Sequence, residues 1–224
     1  MLIMKTQNYA AYFDHTILKP DAVESDIKKL CAEAKEYGFF SVCVNPHWVP
    51  ACKEWLKGSP VLTCTVVGFP LGANAMETKV EETRLAIQNC AEEIDVVINI
   101  GLIKDGKVDL AAKELKGVVT AAGTRLTKVI VESGLLSEKE LRDAIEAVNQ
   151  SGAAFIKTST GFTSTGATVE AVEMMKRYGS AGLKIKASGG IRTAKDFLRF
   201  VELGVHRVGA SRSVEILKDV QEKA

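Results

Sequence analysis

The chain has almost no net charge: 29 Lys and Arg stand against 28 Asp and Glu, leaving +1 over 224 residues. That balance lacks the basic footprint of a duplex nucleic-acid binder or of a protein held on an anionic membrane surface. No apolar stretch approaches the roughly 20 residues needed to span a bilayer. The opening MLIMKTQNYAAYFDH has no basic segment followed by an apolar one, so no signal peptide is expected and a cytoplasmic location is. Histidine is scarce. His15, His47 and His206 are isolated, without HxxxH or HExxH spacing, and no metal site or other cofactor is expected. The five cysteines, with gaps of 12, 9, 12 and 26, make no CxxC pair, zinc knuckle or disulfide framework. Cys31, Cys43 and Cys64 lie in apolar contexts, where buried reduced thiols are expected. Linkers and low-complexity tracts are missing too, so residues 1–224 read as one domain, with 1–10 a short leading segment.

What is there is regular. Hydrophobic residues make up 46% and charged residues 25%, an ordinary globular composition. Eight β-rich runs recur from end to end: YFDHTIL, FFSVCVN, VLTCTVVGF, IDVVINI, LTKVIVES, AFIKTS, LKIKAS and VHRVGAS. Helical patterns separate them. Ile27, Leu30, Cys31 and Ala34 share one helix face, with Gly38 as the stop. Ser137 to Glu140 is a capping box; Thr168 and Thr193 are further helix caps. Strands alternating with helices imply βα units and a parallel sheet. Eight such units predict a closed (β/α)8 barrel, a TIM barrel, over an open sheet. An open dinucleotide-binding sheet would show a Gly-rich turn after its first strand, where DHTILKP stands.

Along a barrel strand, side chains alternate between the packed interior and the helix layer. If Ile94, Val96 and Ile98 face the helices, Asp95 faces inward. By the same parity Lys184 and Lys186 point inward, as do Lys157, Ile130 and Glu132. Burying an unpaired charge costs several kcal/mol, so these residues need a reason. Lys157, Lys186 and Asp95 lie near the C-terminal ends of their runs, where barrel active sites form. A plain ion pair plugging the mouth would account for some of this, but two Lys against one Asp is more cation than pairing requires. Lys184 lies deeper and is expected to snorkel or pair. At neutral pH only about one ordinary Lys in 2,500 is a free amine. Burial and a neighbouring ammonium raise that fraction and make a nucleophile toward a carbonyl. Three Gly/hydroxyl clusters, Thr158 to Gly161, Ser188 to Arg192 and Gly209 to Arg212, follow the last three strands, where barrels hold phosphate.

The chain resembles the deoxyribose-phosphate aldolase family. The resemblance rests on DHTILKP (Asp14 to Pro20), VCVNP, VVGFPLG, EIDVVINIG, KVIVES, FIKTSTGF, IKASGGIRT and RVGAS, in the family's order over nearly the whole length. It implies reversible cleavage of 2-deoxyribose 5-phosphate to acetaldehyde and glyceraldehyde 3-phosphate, without a cofactor, by a homo-oligomer (dimer or tetramer). Lys157 matches the Schiff-base lysine, Lys186 the second lysine that lowers its pKa, and Asp95 the proton-relay acid. Thr16 and Thr160 match substrate-side hydroxyls, and Cys43 a cysteine lining the pocket. Phosphate contacts fall to Gly161, Gly189, Gly190, Arg192, Gly209 and Ser211. Two departures stand out: Phe162 sits where some members carry a phosphate-side Lys, and no aromatic residue follows Phe200 where some end in a Tyr. The rival readings are another phosphate-binding barrel enzyme, whether a different Schiff-base aldolase or a sugar-phosphate isomerase, and a non-catalytic sugar-phosphate sensor.

Overall fold

The computed structural model describes residues 8–222; the expected leading segment falls mostly outside them, and from Tyr9 to Tyr12 the chain makes a 3-10 turn into the first strand. Within the described residues, eight parallel strands close a barrel in simple sequence order. They are β1 (Phe13–Ile17), β2 (Ser41–Val44), β3 (Leu62–Val67), β4 (Glu93–Val97), β5 (Leu126–Ile130), β6 (Phe155–Lys157), β7 (Lys184–Ser188) and β8 (Arg207–Ala210). The outer layer holds α1 (Glu24–Tyr37), α2 (Val49–Trp55), α3 (Met76–Gln88), α4 (Ile100–Lys104), α5 (Val108–Ala122), α6 (Glu138–Ser151), α7 (Val169–Tyr178), α8 (Ala194–Glu202) and α9 (Ser213–Gln221). None of these helices is long and apolar enough to cross a membrane.

Local chemistry starts and stops the helices as the sequence predicts. Ser137 Oγ accepts from the Glu140 N–H while the Glu140 carboxylate accepts from the Ser137 N–H at 2.7 Å, closing the capping box of α6. Thr168 and Thr193 cap α7 and α8 through their side chains. Gly38 ends α1 at φ +68°, a left-handed conformation that costs other residues a Cβ clash.

The apolar core lies between strands and helices. Phe197 of α8 stacks on Phe13 of β1 with centroids 4.5 Å apart, sealing the β8–β1 seam where the barrel closes. Each such fully buried ring contributes on the order of 2–3 kcal/mol of transfer free energy. A smaller apolar cluster of Leu18, Cys43, Cys64 and Val66 fills the β1–β3 side of the barrel interior. Charged side chains occupy much of the remainder, beside buried apolar residues of the same strand parity such as Val97, Ile130 and Phe155.

Candidate active site

Inward parity holds for Asp95, Lys157 and Lys186, all buried, and it extends to residues that the sequence reading did not single out. Among the described residues, the interior holds four cations, Lys128, Lys157, Lys186 and Arg207, contacting three carboxylates, Asp14, Glu93 and Asp95. Lys128 Nζ lies 2.7 Å from Glu93 and 2.9 Å from Asp95 Oδ1. Arg207 reaches Asp14 at 2.6 Å and Glu93 at 3.0 Å, with its guanidinium over the Phe40 ring. Lys186 Nζ bridges Asp14 Oδ2 (2.5 Å) and Asp95 Oδ2 (2.8 Å). Lys157 Nζ lies 2.8 Å from that same Asp95 Oδ2 and has no second carboxylate. One oxygen therefore holds both lysines, and their Nζ atoms cannot be farther apart than two hydrogen bonds laid end to end.

The electrostatics rank these groups. Burial disfavours the ammonium of Lys186, but Asp14 and Asp95 outweigh it and hold Lys186 above the ordinary lysine value. Burial acts likewise on Lys128 and loses to Asp95, Glu93 and Asp14. The second lysine is thus a fixed cation, not a depressed amine. Burial also raises the Asp95 carboxyl, yet Lys128, Lys157 and Lys186 together pull it well below the usual carboxylate range. Asp14 goes the same way, its burial offset chiefly by Lys186 and Lys128.

Above this cluster opens a cavity of about 420 Å³ at the C-terminal mouth. Lys157 is the one member of the charge cluster on its wall, together with Thr16, Thr160, Gly161, Gly189, Gly190, Arg192, Gly209 and Ser211. Lys186 and Asp95 lie below the floor. Cys43 does not line the cavity: it is wholly buried beside Cys64 and Val66, because β2 turns it into the small apolar cluster. The Cys43 and Cys64 sulfurs and an Asp95 oxygen lie within 4.8 Å of one another, but Asp95 is already claimed by three lysines. Thr160 lines the wall with its hydroxyl proton directed to Glu132, away from the cavity, and Thr16 Oγ1 donates to the Asp14 carbonyl.

The phosphate-side expectations converge on one lip. Gly161, Gly189 and Gly190 adopt φ of +85°, +84° and +76°, conformations open to glycine. The N–H groups of Gly161, Gly189, Gly190 and Ser211 make no hydrogen bond among the described residues, so they are free to donate to an anion. The first turn of α8 is instead used by its own cap: Asp196 accepts from the Arg192 and Thr193 N–H groups. Phe162 is half-exposed on the cavity rim, edge-on to Phe69 at 5.1 Å. Lys19, which the sequence reading left within its motif, also lines the cavity and pairs with Asp26 at 3.0 Å.

Other expectations fare differently. Lys184 sits at the opposite mouth, exposed, 5.7 Å above the Phe155 ring, the snorkelling position predicted for it. His15 points outward, and Nε2 lies 2.9 Å from Glu33 of α1. Cys31, Cys43, Cys52 and Cys64 are buried free thiols, whereas Cys90 is exposed.

A parallel eight-stranded barrel with a cavity-facing lysine above buried carboxylates, and a glycine lip beside it, belongs to the class of barrel enzymes that work on small anionic carbonyl compounds. The comparisons narrow this. The family model described as DeoC/LacD family aldolase matches residues 9–218. The deoxyribose-phosphate aldolase of Staphylococcus carnosus is 50% identical over 214 residues, spanning 96% of this chain and 97% of that one. That of Streptococcus suis is 50% identical over 210 residues, 94% of this chain and 96% of that one. Among solved structures, the aldolase QR15 superposes with a TM-score of 0.91 at 36% identity, covering 97% of each chain. The tetrameric deoxyribose phosphate aldolase of Aeropyrum pernix gives 0.88 at 31%, covering 96% of this chain and 92% of that one. The chain belongs to the DeoC/LacD family of aldolases, and it is a carbon–carbon lyase.

Proposed function

We propose that the chain cleaves 2-deoxyribose 5-phosphate reversibly to acetaldehyde and glyceraldehyde 3-phosphate through a Schiff base on Lys157. The observation that carries this reading is the surplus of one cation in the barrel. Removing the Lys157 proton leaves three cations facing three carboxylates, and Lys157 is the cation with a single carboxylate contact and a face on the cavity. The other three each touch two or more carboxylates.

The chemistry follows. The Lys157 amine attacks the C1 carbonyl of the open-chain sugar, forming a C–N bond, and the carbinolamine loses water to give an iminium. The C3 hydroxyl gives up its proton, the C2–C3 bond breaks, and its electron pair moves into the C1–C2 enamine while C3 leaves as the aldehyde of glyceraldehyde 3-phosphate. Protonation at C2 and hydrolysis release acetaldehyde and the amine. Asp95, kept ionised by its lysines, relays these protons through a water at the Lys157 end of its carboxylate. The N–H groups of Gly161, Gly189, Gly190 and Ser211, with Arg192 beside them, hold the phosphate. The chain acts as a homo-oligomer in the cytoplasm, a setting that suits its free thiols; light scattering on the purified protein tests the assembly.

Borohydride trapping in the presence of acetaldehyde and a metal chelator, followed by peptide mass mapping, tests the reading. An adduct confined to Lys157 supports it. No adduct on folded protein overturns it in favour of an isomerase or a sensor, neither of which needs a nucleophilic lysine.

A further inference from the structure

The β6–α7 loop, residues 158–168, forms one side of the cavity lip, and a carboxylate from a different strand fastens it. Glu132 follows β5 with φ +51°, a left-handed conformation that non-glycine residues seldom adopt. Its side chain is buried, does not line the cavity, and contacts none of the interior lysines. One oxygen accepts from the Thr160 N–H at 3.1 Å and from the Thr160 hydroxyl; the other accepts from the Thr163 hydroxyl at 3.1 Å. Thr160 Oγ1 in turn accepts from the Phe162 N–H at 3.1 Å.

The loop so held backs onto the next one. Ala167 N–H donates to the Gly189 carbonyl at 3.0 Å, and a Cβ on Gly166 would stand 2.1 Å from that same oxygen. Ser188 Oγ donates to the Ser159 carbonyl at 2.5 Å. A chain of contacts therefore runs from Glu132 through Thr160 and Thr163 to Gly189 and Gly190, which line the cavity and whose N–H groups are unbonded among the described residues. Strained backbone kept at a buried polar residue calls for a compensating role nearby, and three hydrogen bonds to one loop supply it.

We propose that Glu132 is a positioning residue that aligns the β6–α7 loop with the Gly189–Gly190 turn and so sets affinity for the substrate's phosphate end. This rests on the phosphate reading given above. It also assigns Glu132 no proton transfer: its side chain does not line the cavity and, unlike Asp95, it touches no cavity-facing lysine.

The test uses three variants of the full-length protein. Glu132→Met keeps the volume and removes every acceptor, and the KM for 2-deoxyribose 5-phosphate is expected to rise about tenfold or more, with kcat changing less. Glu132→Gln keeps an oxygen for both Thr160 donors and turns its NH2 to Thr163 Oγ1, whose proton then goes to the Thr165 carbonyl; it is expected to restore KM to within about threefold of the parent. Thr163→Val removes one contact and is expected to fall between them, and it decides the matter if Glu132→Met does not fold. Inorganic phosphate, titrated calorimetrically, is expected to bind Glu132→Met about tenfold more weakly. Glu132→Gln as inactive as Lys157→Ala would make Glu132 an acid or base and overturn the proposal. So would unchanged KM and phosphate affinity in folded Glu132→Met, or an equal KM rise for 2-deoxyribose lacking the phosphate. Failure of the parent protein to trap acetaldehyde would sink the aldolase mechanism alone, since phosphate binding still reports on the loop.

Discussion

Lys186→Leu isolates the role of the surplus charge. In the parent protein Lys186 and Lys157 share Asp95 Oδ2 at 2.8 Å each, so their charges stand roughly 5 Å apart. At that separation and an effective dielectric of ~20, the mutual repulsion is ~3 kcal/mol. Removing Lys186 abolishes this penalty on a protonated Lys157. It also leaves Lys128, Lys157 and Arg207 matched one for one with Asp14, Glu93 and Asp95. Lys157 then loses its nearest like-charged neighbour, and a repulsion of ~3 kcal/mol corresponds to a factor of more than ~100 in rate.

The fold is expected to survive, since leucine fills much of the volume and the carboxylates keep other cations. A loss of about 3–5 kcal/mol for breaking a buried pair is the upper range. The assay is kcat/KM for 2-deoxyribose 5-phosphate from pH 6 to 10, with circular dichroism at each pH. The expected profile is a deficit of about a hundredfold at pH 7 that shrinks as pH rises. Near-normal turnover at pH 7 would refute the electrostatic argument. A deficit constant across pH would show that Lys186 serves the reaction by some route other than its charge on Lys157.

Asp95→Asn leaves four cations facing two carboxylates and is expected to cost about 3–5 kcal/mol of stability, a melting point lower by about 10 °C, alongside near-complete loss of turnover; calorimetry reads the first, and an unchanged melting point would show that Asp95 is not the anchor. Gly166→Ala drives a Cβ into the Gly189 carbonyl at 2.1 Å, and inorganic phosphate affinity is expected to drop about tenfold; equal affinity in the variant would separate the two loops. Stability has a worked pH dependence. Asp14 and Asp95 have folded pKa values below their unfolded ones, so their contribution is complete above about pH 4 and is lost as pH falls through the folded values. Lys128 and Lys186 are raised, so theirs is complete below about pH 10. Burial lowers His15 despite Glu33, so stability also declines as pH drops below about 6.5. The melting point is expected to be flat from about pH 7 to 9 and to sag below 6.5, and His15→Asn is expected to reduce that sag, His206, also lowered by burial, supplying the rest.

The barrel was legible because its signals are local: a period of two in the strands, caps at Ser137, Thr168 and Thr193, glycine at Gly38. Parity was equally local for Asp95, Lys157 and Lys186. The partners of those charges were not. Register sets Lys157 beside Lys186 and Lys186 beside Arg207, three cations in a row around the barrel wall. Their carboxylates come from other strands, Asp14 on β1, which pairs with β8, and Asp95 on β4. Asp14, Glu93, Lys128 and Arg207 all have inward parity, so the same rule applied to every strand would have found them as buried charges. It would not have paired them, because which layers meet depends on strand stagger. Lys79 marks the harder limit. In METKVEETRLAIQ it looks like a solvent-facing helix residue, yet it is wholly buried, donating to the Val97 carbonyl at 2.8 Å and to Glu114 at 2.6 Å. Its partner lies on another helix, and the carbonyl it meets belongs to the last residue of β4. The charge count shows why this matters for function. Read strand by strand, two lysines and one aspartate suggest that both lysines are depressed. Counted over the closed barrel, four cations meet three carboxylates among the described residues, and the cation with a single carboxylate contact is the lysine that faces the cavity.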